Sequence, residues 1–274
     1  MMKVRSISPK RLALALLLAA VMCVAVIADE QEYDESTPLE ELKTAASDGD
    51  TRAMLEYGMR FMQGQGVDTN TTEGLGWLQK AADAGDAQAW YVLGVVYSNG
   101  IGVELDMPKS IEYYRKGAEA GDATCQVAMG MVYQAGERIP GGVATDPAEA
   151  AKWYGMAADQ GQLEGIYHLA MMNARGLGIE KNEKEGVKLY RKGAELGSAD
   201  CVLALGRCYL EGIGVEVDSV MAYALFSASL DGIEYPEQKK AMTEKRDELG
   251  KALTQEQLGQ AEPIIEEWKG KLGK

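Results

Sequence analysis

Apolar and polar residues along this chain alternate with a helical period, and the same pattern returns about every 36 positions. A small residue (Gly58, Gly94, Gly130, Ala170, Gly206) directly follows Tyr57, Leu93, Met129, Leu169 or Leu205. Three positions later comes Phe61, Tyr97, Tyr133, Asn173 or Tyr209. This spacing predicts a helix, A, with one buried face. Glycine inside a helix costs about 1 kcal/mol against alanine, so its recurrence implies close helix–helix approach. A second helix, B, buries Trp77-Leu78, Tyr113-Tyr114, Trp153-Tyr154 and Leu189-Tyr190. Small pairs follow at Ala81-Ala82, Gly117-Ala118, Ala157-Ala158 and Gly193-Ala194.

Punctuation between the helices keeps the same register. The turn glycines Gly49, Gly85, Gly121, Gly161 and Gly197 are spaced 36, 36, 40 and 36 apart, and a degenerate copy ends at Gly232. Helix A ends in Gly64-Gln-Gly66, Gly100-Ile-Gly102, Gly176-Leu-Gly178 or Gly212-Ile-Gly214. No strand precedes these loops and no Lys-Ser/Thr follows, so they read as helix C-caps and tight turns rather than phosphate loops. Asn70, Asp106, Asp146, Asn182 and Asp218 are N-caps for helix B. Pro108 and Pro147 sit in its first turn, and Glu73, Glu149 and Glu185 complete capping-box-like patterns. A period near 35 residues predicts an all-α solenoid of helix pairs over residues 39–232. Leu39–Ser47 reads as a lone capping helix B, and residues 233–274 as capping helices, Glu237–Leu253 and Gln255–Gly270. Thr254 and Gln257 form a cap between those two helices, and Pro263 is placed to kink the last. The repeat from Gly121 carries a four-residue insertion, Gly136 to Val143, expected to protrude at one rim.

Composition narrows the function. Lys+Arg is 28 and Asp+Glu 42, a formal charge of −14. Such a balance repels phosphate backbones, so no nucleic-acid partner is expected. Residues 1–28 hold four basic residues, no acid, and the apolar run Leu12 to Ile27 ending at Ala28. They read as a signal peptide cleaved after Ala28, with an uncleaved N-terminal anchor as the alternative. Cleavage would leave a charge of −18 and no stable membrane span, and would place the protein in the periplasm or outside the cell. Residues 29–38 read as a solvated acidic leader.

The clearest copy, Trp77 to Asp106, resembles the Sel1-like repeat, a relative of the tetratricopeptide repeat. The resemblance covers about residues 39–232 and implies a right-handed superhelical solenoid of antiparallel helix pairs. It also implies a non-catalytic adaptor whose helices A line a concave face and hold a protein or peptide. Carried onto this chain, the partner-binding positions three after each turn glycine are Arg52, Gln88, Thr124, Glu164 and Asp200. Ten after it stand Met59, Val95, Met131, Met171 and Arg207. The methionines either line that groove or finish the core, and the sequence leaves both open. Two alternatives accompany this reading: a β-lactam-binding or hydrolysing relative of the cysteine-rich branch, and a structural or regulatory protein of exopolysaccharide assembly. The chain lacks that branch's paired cysteines. Cys125 and Cys201 read as small core residues, and no disulfide is expected. The single histidine, His168, lies four after Glu164, at the spacing of a local ion pair. No nucleophile–base–orienter set surrounds it, so neither an enzyme nor a cofactor or metal site is expected.

Overall fold

The computed structural model describes residue 33 and residues 36–233 and 235–272. The segment read as an export signal lies outside the described residues, as does most of the leader. Thirteen α-helices follow one another among the described residues. The lone α1 is Leu39–Ser47. Five A–B pairs come next. They are α2 (Thr51–Gln63) with α3 (Thr71–Asp83), α4 (Ala87–Asn99) with α5 (Met107–Glu119), and α6 (Ala123–Ala135) with α7 (Pro147–Asp159). Then come α8 (Leu163–Arg175) with α9 (Glu183–Glu195) and α10 (Ala199–Glu211) with α11 (Ser219–Ser229). Last are α12 (Pro236–Ala252) and α13 (Gln255–Leu272). The chain forms two compact units, up to Ala144 and from Thr145.

All five B-helix caps predicted from sequence are made. Asn70, Asp106, Asp146, Asn182 and Asp218 each accept a backbone N–H from the first turn. The A helices are capped equally regularly, by Asp50, Asp86, Asp122, Gln162 and Ser198. Each such cap contributes about 1 kcal/mol. The two loop glycines have separate tasks. Gly64, Gly100, Gly176 and Gly212 end helix A in the left-handed conformation that favours glycine. The second glycine packs on the start of the preceding helix B. A β-carbon on Gly102 would collide with Thr71, and one on Gly178 with Pro147 and Ala148. Gly66, which has only α1 before it, would meet nothing within 4 Å.

In the first unit the A and B helices touch through small residues. A β-carbon on Gly58 would lie 2.9 Å from the Gly74 carbonyl oxygen, and one on Gly74 would lie 2.8 Å from that of Gly58. One repeat later the Ser110 hydroxyl donates to the Gly94 carbonyl (2.7 Å). Leu55, Leu78, Leu93 and Tyr113 share one buried cluster. The N-terminal end is closed by more than α1. Tyr33 packs with Leu42, Tyr57 and Phe61, and its hydroxyl donates to Asp50 (2.8 Å). Arg60, 4% exposed, pairs with Glu56 (2.9 Å) and donates to the Thr37 carbonyl (2.9 Å). The leader is therefore tied to the first repeat at Tyr33 and Thr37. The insertion after α6 folds back instead of projecting freely. Gly136–Arg138 form a 3₁₀ turn, Arg138 donates to the Gln134 and Ala135 carbonyls, and Gly141 packs on Pro108.

In the second unit Ala170, Tyr190, Val202, Leu205 and Leu225 form the main core. α12 packs on α11 through Met242, beside Phe226 and Leu203. The reciprocal Thr254–Gln257 cap forms as predicted (2.9 and 3.2 Å). α13 runs through Pro263 as one helix. It lies along α11 and reaches α9, burying Ala261, Ile265 and Trp268, a stripe of helical spacing.

Candidate binding face

α2, α4, α8 and α10 each bury one side against their B partner, and every A helix carries a stripe at positions three, seven, ten and fourteen after the turn glycine. Caps and turn glycines fix where every A helix starts, so within each unit equivalent side chains take equivalent places on successive A helices. In the first unit α4 also touches α6. There Arg52 is exposed and its Nη1 donates to Gln88 Oε1 (2.7 Å), linking two predicted site residues 36 positions apart. Gln88 and Thr124 are half-buried. The row at ten is apolar: Met59 and Met131 are half-buried, and Val95 is 9% exposed. Met59 packs against the buried cluster of Leu55 and Leu78 while keeping part of its surface open, so it serves core and face together.

In the second unit the face is charged. Glu164, Asp200 and Arg207 are exposed, and Met171 is half-buried against the core. Glu164 reaches solvent from a crowded position near Tyr154 and Asp200. Burial, followed by the negative charge of Asp200, holds its carboxyl above the ordinary value, against a hydrogen bond from Gln162. Three neighbours here lie outside the set predicted from sequence: Tyr167, Arg175, and His168, which was expected only to pair with Glu164. Tyr167 lies within electrostatic reach of Asp200, Arg207 and Arg175. His168 makes no ion pair with Glu164. Its ring stacks on Tyr154 (4.6 Å, 12°) and meets Tyr167 edge-on (5.5 Å, 79°). The His168 Nδ1 is shut off from solvent without a hydrogen-bond partner, and burial lowers the ring's pKa, favouring neutral imidazole. The signal available in sequence was an aromatic, Tyr91 or Tyr167, at a place otherwise held by Leu55, Val127 and Leu203. At the C-terminal end of α10, Leu210 borders a cleft of about 350 Å³ with Lys245, Glu248, Leu249 and Ala252 of α12.

The thiols are buried in the framework. Cys125, Cys201 and Cys208 are free and nearly solvent-inaccessible. Burial pushes Cys201 and Cys208 up to about 11, and Cys125 further. Among the described residues no group of His, Cys, Asp and Glu could hold a metal ion. No helix there is long and apolar enough to cross a membrane.

Comparison with known proteins agrees with this geometry. The profile of the Sel1 repeat matches residues 51–86, 87–122, 123–162, 163–198 and 199–231, each one A–B pair. The structure of a protective antigen of uropathogenic Escherichia coli displaying an SLR fold superposes with a TM-score of 0.74 at 29% identity, covering 95% of this chain and 54% of that one. A Sel1 repeat protein from Oxalobacter formigenes gives 0.63 at 26% identity, covering 85% of this chain and 97% of that one. The rat DAP3-binding cell death enhancer 1 is 36% identical over 53 residues, 19% of this chain and 10% of that protein. The chain thus spans about half of the E. coli structure and a tenth of the rat protein. With five matched repeats, each with its helices capped at the same places, the chain belongs to the Sel1 repeat family, an all-helical solenoid fold whose members bind protein partners.

Proposed function

We propose that this chain is a non-catalytic adaptor of the cell envelope or of the secreted fraction, holding a protein or peptide partner on its A-helix face. One observation carries the reading. The outward stripe of each A helix stands in the same register, with half-open apolar side chains such as Met59 and Met131 beside polar ones such as Arg52, Gln88 and Thr124. Half-open methionines beside fixed polar groups suit an adaptable peptide site. The signal-like residues 1–28 support export, with a retained N-terminal anchor as the other form.

The test is an in vivo crosslinking pull-down of the mature protein, beside a variant carrying Met59→Glu, Met131→Glu and Met171→Glu. Circular dichroism first establishes that the variant keeps its helical content. A partner captured by the wild type and lost by the folded variant supports the reading. Equal capture by both rejects the A-helix face as the site.

A further inference from the structure

On the A-helix face of the second unit, charge is sorted by position. Glu164 and Asp200 occupy the first turns of α8 and α10, at equivalent places in successive repeats. Arg207 lies two turns further along α10, and Arg175 is the last residue of α8. Tyr167 feels Asp200, Arg175 and Arg207 together, so both signs of charge converge on one patch. Glu164, Arg175 and Arg207 are exposed, and none enters an ion pair among the described residues. Three other cations are closed by acids on their own helix: Arg60 by Glu56, Lys152 by Glu149 and Lys188 by Glu185. Glu211, four positions after Arg207, also makes no ion pair among the described residues and limits the basic end. Half-buried Met171 and Ala204 lie between the two ends.

The separation sets the occupant. Asp200 and Arg207 are seven residues apart, which is about 10 Å along a helix rising 1.5 Å per residue. A peptide extended as a polyproline-II helix covers that distance in about three residues at roughly 3.1 Å each, and its three-residue turn returns side chains three apart to one face. We propose that this face takes an extended peptide with a basic and an acidic residue three positions apart, the basic one against Glu164 and Asp200 and the acidic one against Arg207 and Arg175. The inference rests on the A-helix face being the binding face and names the partner's chemistry there. Small apolar side chains between the two charges fit over Met171 and Ala204, and either chain direction satisfies the pattern.

Random peptides displayed on phage and selected on the immobilised full chain test this. The expected result is enrichment of basic–acidic pairs three apart. A fluorescently labelled selected peptide should then lose about tenfold in affinity with Glu164→Gln/Asp200→Asn, and separately with Arg175→Gln/Arg207→Gln. Replacing the peptide's basic residue by serine should abolish its sensitivity to the first pair only. Enrichment of one sign of charge, of uncharged peptides or of none overturns the proposal, as does indifference to both pairs. Selected peptides that depend on Met59 and Met131 instead would overturn it while leaving the A-helix adaptor reading standing.

Discussion

Replacing Gly117 by alanine should destabilise the first unit, although alanine is the better helix former. The reason lies in a pair of positions, one near the end of each helix B and one in the first turn of the next helix A. The pairs read Ala81 with Ala89, Gly117 with Cys125, Ala157 with Gly165 and Gly193 with Cys201. Where one partner is cysteine the other is glycine, and in the remaining pairs neither side chain exceeds alanine. A β-carbon on Gly117 would overlap the Cys125 Sγ and come 3.0 Å from the Trp90 Cβ. Helix propensity favours the alanine by about 1 kcal/mol. Overpacking costs about 1–3 kcal/mol, and Cys125 is 0% exposed, with nowhere to move. Gly117→Ala should therefore lose up to about 2 kcal/mol net. Cys125→Ala alone leaves a small void and should lose about 1 kcal/mol. Together the two changes recreate the alanine pair that Ala81 and Ala89 already use. The overlap vanishes and the propensity gain remains, so the double variant should lie within about 1 kcal/mol of wild type, with a favourable coupling of about 1–3 kcal/mol. Urea unfolding followed by circular dichroism measures all four proteins. If the double variant is as unstable as the sum of the singles, steric pairing is not what links these positions.

Four further outcomes follow from the same packing. Gly66→Ala and Gly178→Ala both place a β-carbon at positive φ (72° and 75°), but only Gly178 also collides with backbone, so it should lose at least about 1 kcal/mol more in thermal or urea unfolding. Arg60→Leu should leave the helical content intact, since Val96, Val132 and Met172 hold the equivalent place, yet limited proteolysis ahead of Leu39 should accelerate as the hydrogen bond from Arg60 to the Thr37 carbonyl is lost. Glu164→Gln should raise stability at neutral pH. A carboxyl held above its unfolded value favours folding only while protonated, so the difference from wild type should vanish as pH falls below the ordinary glutamate range; an unchanged difference there would refute the burial argument. Cys201 and Cys208, pushed up to about 11, should resist thiol reagents at mildly alkaline pH until the protein unfolds, which timed labelling followed by mass spectrometry reads directly.

What the sequence showed plainly was whatever repeats. Asn70, Asp106, Asp146, Asn182 and Asp218 were legible as caps because each follows a glycine loop at a fixed distance and several precede proline or a first-turn glutamate. The A-helix caps Asp50, Asp86 and Asp122 carry the same chemistry but adjoin the turn glycine, where they read as part of the turn. Single features were harder. The stripe of Ala261, Ile265 and Trp268 shows that α13 buries one face, but an amphipathic pattern does not say which neighbour receives it. Tyr33 sits in an acidic stretch whose composition argues for solvation, and its anchoring depends on Asp50, far along the chain. On the proposed binding face, register alone places Arg52, Gln88, Thr124, Glu164 and Asp200 at one equivalent position of their A helices. The burial of Val95 was not, because a two-sided helix in a stack buries positions that an isolated amphipathic helix would expose.

Site-specific photocrosslinking in cells tests the central claim most directly, with a photoreactive residue placed singly at Gln88 or Arg207 on A helices, or at exposed Lys152 or Lys188 on B helices. Adducts with the partner are expected from Gln88 or Arg207 and not from Lys152 or Lys188. Adducts arising equally from both layers, or from the B helices alone, would contradict that claim.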